Sequence, residues 1–237
     1  MNISHKHKII WWAPERTGTK ITREIFLNYD FLVFDSKIDE EIPMMGHDVS
    51  HSNRIQDEFS DYVLISNIRN PYDRIFSIFL TTFYENIALE KNKHSEIRKS
   101  FNNWVHNTFK PKKLLVELDT NGSPKNVDKN YFEKWVFKGI QPSFFIRIEN
   151  LIEDLEKLDF IKSDVAWDSV KIRKKVENNI FKNNRAVKFD KMYDVDSAKL
   201  IYVYFKSVFN LIPYDPFSFT TETLLDSEKI SFLHDIL

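Results

Sequence analysis

Cysteine is absent from the 237 residues, and glycine occurs only four times, at Gly18, Gly46, Gly122 and Gly139. Without cysteine there is no disulfide framework, no thiolate nucleophile and no Cys-ligated zinc or iron–sulfur site. A reducing compartment fits that composition. A charge excess is also missing: 34 Lys+Arg against 35 Asp+Glu leave a formal net charge of −1. A general nucleic-acid binder needs a surplus of Lys and Arg, so none is expected as a partner. Long apolar runs are lacking too. The first, Ile9 to Ala13, is far short of the ~18 residues of a spanning helix. It is also shorter than the ~7–15 residue apolar core of a secretory signal. The expectation is a protein with no membrane segment and a cytoplasmic setting. No repeat with a period of about 20–50 residues is visible, which removes solenoids and propellers.

What is present is apolar and aromatic. Hydrophobic residues make up 42% of the chain and aromatics 15%, with 21 Phe, enough to bury a sizeable core. Short β-rich runs alternate with helical patterns in the N-terminal half, as βαβ units with a parallel sheet require. His7 to Ala13 reads as a buried strand stopped by Pro14, and a helix runs from Gly18 to about Tyr29, with Ile21 and Ile25 on one face. Phe31–Phe34, Tyr62–Ile68 and Phe144–Ile148 read as further strands. Pro71 to about Leu89 reads as a long helix, and Asn150 with Glu153 suggests a helix cap. A last helix is expected from about Asp196 to Phe209, with Leu200, Tyr204 and Val208 on one stripe. The expected fold class is α/β: one domain, residues 1–237, with a central parallel β-sheet flanked by helices. Residues 90–139 are rich in Lys, Asn and His and lack a strand pattern, so they are expected to form a helical insertion.

Two segments carry chemistry. In Ala13-Pro-Glu-Arg-Thr-Gly-Thr-Lys20 a strand leads through a glycine turn into a helix. Backbone N–H groups and the helix dipole favour an anion at such a place. Thr17 and Thr19 add hydroxyls, and Arg16 and Lys20 add charge. The nucleotide-triphosphatase pattern G-x-x-x-x-G-K-[ST] fails, since Ala13 takes its first glycine position and Thr follows Gly18. In Arg69-Asn-Pro-Tyr-Asp-Arg-Ile-Phe-Ser77, Asn70, Pro71 and Asp73 are explained by helix initiation. Arg69 and Ser77 are not. They offer a planar cation and a hydroxyl at the sheet edge where open α/β folds bind ligands.

Together these segments resemble the 5′ and 3′ motifs of the sulfotransferases that use 3′-phosphoadenosine-5′-phosphosulfate. Pro14 to Lys20 matches the loop P-K-S-G-T-T with one extra residue after the proline, and Arg69 to Ser77 matches the 3′ motif in full. Phe145-Ile-Arg-Ile-Glu-Asn-Leu151 is similar to the family's R-x-E-x-L strand end, and Tyr193 through Tyr214 to its closing helix and aromatic tail. The resemblance spans residues 7–89 and 140–215. It implies a P-loop-like fold and transfer of a sulfonate from the nucleotide to an acceptor hydroxyl, with adenosine 3′,5′-bisphosphate as the other product. Carbohydrate, tyrosine and small-molecule hydroxyls all stay open as acceptors.

The chain departs from the family pattern at several positions. The family's usual loop Lys is Arg16, as in the tyrosylprotein sulfotransferases, and Lys20 takes the place of the last loop Thr. No membrane anchor is expected before the first strand, unlike in the Golgi members. Met45-Gly-His-Asp-Val-Ser-His51 resembles the Gly-His segment of uronyl-type carbohydrate sulfotransferases, which makes His47 the candidate base. Histidine suits proton abstraction near neutrality. His51, Glu15 and Asp48 are the reserves. Arg185 lies where family members carry a basic loop over the nucleotide. The expected cofactor-binding set is Arg16, Thr17, Gly18, Thr19, Lys20, Arg69, Ser77 and Arg185, with His47 and Arg16 catalytic and no metal. The rival readings are a small-molecule kinase and a non-catalytic nucleotide-binding protein.

Overall fold

A computed structural model describes residues 2–14, 16–33, 59–84, 94–109, 116–117, 125–126, 142–182 and 188–234. The chain divides into two compact units. The first is Met1–Arg69 with Lys134–Asn183, and the second is Asn70–Glu133 with Asn184–Leu237.

The first unit is built on a five-stranded sheet of order β3-β1-β2-β4-β7. Its strands are β1 (Asn2–Ser4), β2 (Ile9–Trp12), β3 (Leu32–Val33), β4 (Val63–Ile68) and β7 (Phe144–Arg147). β2 and β4 run parallel, with Trp12 opposite Ser66, and β4 and β7 run parallel, with Ile68 opposite Arg147. The C-terminal ends of these three strands therefore share one sheet edge. β1 pairs antiparallel with both β2 and β3, so the sheet is mixed rather than wholly parallel. A three-residue strand leaves no periodic signal, which is why Asn2–Ser4 escapes a reading by pattern.

Helix α1 (Thr19–Phe26) follows β2 and continues as a 3-10 turn over Leu27–Tyr29. Ile21, Ile25 and Phe26 are buried on it and pack with Ile9, Trp11, Ile65 and Ile146 of the sheet. Trp11 meets Phe26 edge-on at 5.2 Å. Fully buried side chains of this size contribute about 1.5–3 kcal/mol each, so this face fixes α1 against β2 and with it the connecting loop. Two short helices, α4 (Leu151–Leu155) and α5 (Asp159–Lys162), and the longer α6 (Ser169–Lys182) complete the unit. Asn150 makes no capping bond. The turn after β7 is held instead by Asp154, which accepts from Arg147 N, Nε and Nη2 and from Lys157 Nζ. Burial pushes the Asp154 carboxyl up, but these donors outweigh it and its pKa lies below the ordinary value.

The second unit holds α2 (Pro71–Tyr84), α3 (His94–Thr108), the two-residue antiparallel strands β5 (Val116–Glu117) and β6 (Lys125–Asn126), α7 (Val195–Tyr204), α8 (Lys206–Leu211) and α9 (Asp226–His234). α2 starts as its residues require: Asn70 Oδ1 accepts from Tyr72 N at 3.0 Å, with Pro71 at the first helical position. Its aromatic core includes Tyr72, Phe76, Phe79 and Phe101. Asn102 of α3 ties down the chain before α7, donating to Met192 O and accepting from Asp194 N. The single helix expected over Asp196–Phe209 is two helices broken at Phe205. The buried stripe is Ala198, Ile201, Phe205 and Val208, one register away from Leu200 and Tyr204. Phe205 takes the inward position, while Tyr204, whose ring carries a hydroxyl, stays half-buried.

Candidate anion-binding loop

The loop between β2 and α1 begins where Pro14, buried, ends the strand. Arg16 has φ 64° and Gly18 has φ 79°, so two left-handed residues flank Thr17. Left-handed backbone at a non-glycine residue is strained, and such strain concentrates at functional turns. Gly18 is required on a second ground: a Cβ there would overlap Ile148 Cδ1 and approach Cγ1 to 2.9 Å.

Carbonyl oxygens repel an anion, and those of Pro14, Arg16, Thr17 and Gly18 are engaged by donors of the protein. Pro14 O accepts from Thr17 N, Thr17 Oγ1 (2.6 Å) and Thr19 Oγ1 (3.2 Å). Arg16 O accepts from Arg69 Nη1 at 3.0 Å. Thr17 O accepts from Asn67 Nδ2 at 2.9 Å, and Gly18 O accepts from Thr22 N and Thr22 Oγ1. The opening N–H groups of a helix have no partner within it, so the start of α1 presents donors while these acceptors are turned away. Arg16 is half-buried, Lys20 is exposed and Arg69 is buried. The arrangement can bind an anion through backbone N–H groups backed by cationic side chains.

The residues singled out in the sequence fall into three groups. Arg16, Thr17, Gly18, Thr19 and Lys20 stand on the loop and the first turn of α1, and Arg69 at the end of β4 reaches that loop. The Thr17 and Thr19 hydroxyl protons go to the Pro14 carbonyl, so these side chains shape the turn. Ser77 belongs to the second unit, where it is fully buried on α2. His47, with the reserves His51, Asp48 and Glu15, and also Arg185, lies outside the described residues.

Reading by pattern missed Asn67. It is fully buried in β4, where Oδ1 accepts from Trp11 Nε1 at 2.8 Å and Nδ2 donates to Thr17 O and to Thr22 Oγ1. The available signal was an amide that, with Ser66, interrupts an apolar strand two residues before Arg69.

Among the described residues, no group of three His, Cys, Asp or Glu could hold a metal ion, and no helix is long and apolar enough to cross a membrane. No protein-family model matches the chain, and neither does any curated protein or solved structure.

Proposed function

We propose that the protein is a sulfotransferase acting in the cytoplasm, which moves a sulfonate from 3′-phosphoadenosine-5′-phosphosulfate to an acceptor hydroxyl. The observation that carries this reading is the hydrogen bond from Arg69 Nη1 to Arg16 O. It joins, at one sheet edge, two motifs that lie 53 residues apart in the chain and that the resemblance assigns to one nucleotide. The loop fits an anionic ligand, because those four carbonyls are engaged by the protein and its cations stand beside the start of α1.

The donor nucleotide, when bound, supplies an activated sulfur whose bond to the bridging oxygen breaks as the acceptor oxygen bonds to it. The protein's own residues then have separate tasks. Gly18, Thr19 and Lys20 N–H groups hold the anionic oxygens at the 5′ end. Arg16 stays protonated and neutralises charge on the equatorial and leaving oxygens, an electrostatic task like that in phosphoryl transfer. Arg69 supplies the planar cation for the 3′-phosphate. Arg185 belongs to the same set by its place in the sequence. His47 takes the proton of the acceptor hydroxyl.

The test is transfer of labelled sulfonate from the nucleotide across a panel of carbohydrate, phenolic and small-molecule acceptors, in excess chelator. Transfer to at least one class, undiminished by chelator, is expected, because the proposed charge neutralisation comes from side chains. Phosphoryl transfer from ATP that stops in chelator and returns with magnesium identifies a small-molecule kinase instead.

A further inference from the structure

We propose that Asn67 is the positioning residue of the loop: its amide fixes the Thr17–Gly18 peptide plane, so that the Gly18 N–H faces the anion. The inference rests on the sulfotransferase reading for the identity of the ligand, but its geometry stands on this loop alone.

A trans peptide is planar, with its C=O and N–H pointing in opposite directions, and the described residues contain no cis peptide bond. Whatever holds the Thr17 carbonyl therefore also aims the Gly18 N–H. Asn67 Nδ2 holds that carbonyl at 2.9 Å from inside the sheet, which turns the Gly18 N–H away from β4. The second Nδ2 proton goes to Thr22 Oγ1 at 2.8 Å, and Thr22 Oγ1 donates to Gly18 O at 3.3 Å. The Thr19 N–H is aimed by the helical bond from Thr22 N to Gly18 O, to which the Thr22 hydroxyl adds a second hold. Asn67 thus sets the Gly18 N–H directly and reinforces the plane of the next peptide through a hydroxyl.

Asn67 has no slack. Its Oδ1 is anchored by Trp11 Nε1 at 2.8 Å, both of its amide protons are used, and it is fully buried. Burying an amide in an apolar strand is unfavourable unless every bond is made. A valine or isoleucine there would leave the buried Trp11 N–H and the Thr17 carbonyl unpaired, so the amide serves the core as well as the loop. A core role alone does not require both amide protons to go to the loop and the helix that follows it. Asn67 contacts no part of the ligand in this account and acts through the backbone it holds.

The test separates positioning from stability. Asn67→Asp keeps the shape and the acceptor for Trp11 but replaces both donors with an acceptor facing the Thr17 carbonyl. Trp11→Phe removes a buried hydrogen bond from the same amide and leaves its donors in place. Each variant is titrated calorimetrically with adenosine 3′,5′-bisphosphate at a temperature where it is folded, and amide hydrogen exchange is followed over residues 13–20. Asn67→Asp is expected to weaken binding at least tenfold and to speed exchange in the loop. Trp11→Phe is expected to lower the melting temperature while changing affinity less than threefold. Where Asn67→Asp does not fold, Thr22→Val carries the test, with a three- to tenfold loss expected. Wild-type affinity in Asn67→Asp or, failing that, Thr22→Val overturns the proposal and leaves the sulfotransferase reading standing. A wild-type protein that does not bind the nucleotide overturns that reading, and the inference with it. Equal affinity losses in Asn67→Asp and Trp11→Phe assign the amide a structural role only.

Discussion

Gly18→Ala is expected to destabilise the protein by about 2–5 kcal/mol and to abolish nucleotide binding in whatever fraction stays folded. The energy has two sources. Left-handed backbone costs a residue with a Cβ roughly 1–2 kcal/mol, and Gly18 sits at φ 79°. Forcing a methyl into occupied space costs about 1–3 kcal/mol more, and here the new methyl would overlap the Ile148 side chain. Ile148 cannot solve this by turning its terminal methyl alone, because Cγ1 also stands within 2.9 Å of the added atom. Denaturant unfolding of the wild type, both single variants and the double variant separates the terms. Gly18→Ala/Ile148→Ala should show a smaller gap from Ile148→Ala than Gly18→Ala shows from wild type, since the overlap is relieved and the backbone term remains. Gly18→Ala with wild-type stability contradicts the loop geometry itself.

Arg69→Ala is expected to weaken adenosine 3′,5′-bisphosphate roughly 10–150-fold, the value of a charge-assisted hydrogen bond of about 1.5–3 kcal/mol. Two losses add. The phosphate loses a planar cation, and the Arg16 carbonyl loses the donor that keeps it turned from the ligand. Arg69→Lys keeps the charge without the forked geometry, so it should recover part of the charge term but not the contact with Arg16 O. Affinity in Arg69→Ala within twofold of wild type, by calorimetry on protein of verified fold, removes Arg69 from the site.

The strands and the loop were legible because burial leaves a mark in one dimension. Ile9 to Trp12 is a continuous apolar run, and Val63 to Ile68 is apolar apart from Ser66 and Asn67, as expected of strands in the middle of a covered sheet. Asn70 and Pro71 announce the start of α2 by chemistry local to the backbone. Arg69 was legible as a residue left unexplained by helix initiation. The remainder depended on tertiary contacts. Asn67 matters through bonds to Trp11, Thr17 and Thr22, 56, 50 and 45 residues away, and no local pattern encodes such bonds. The break at Phe205 reflects which of two aromatic registers packs better, which is decided by neighbours on other helices. Nor does sequence spacing reveal that the 3′ motif is divided, with Arg69 closing one compact unit and Asn70 opening the other. The Thr17 and Thr19 hydroxyls looked like ligand donors, but both turn to the Pro14 carbonyl because it lies within one turn of the chain.

The loop after β2 and Arg69, which follows β4, are proposed to recognise together a nucleotide with a 3′-phosphate. The most direct measurement is calorimetric titration of the wild-type protein with adenosine 3′,5′-bisphosphate and, separately, with ATP, each without magnesium. Binding of the bisphosphate at least about tenfold tighter than ATP is expected, because ATP lacks the phosphate that Arg69 would hold. Equal affinity for the two nucleotides, or binding of ATP alone, contradicts it.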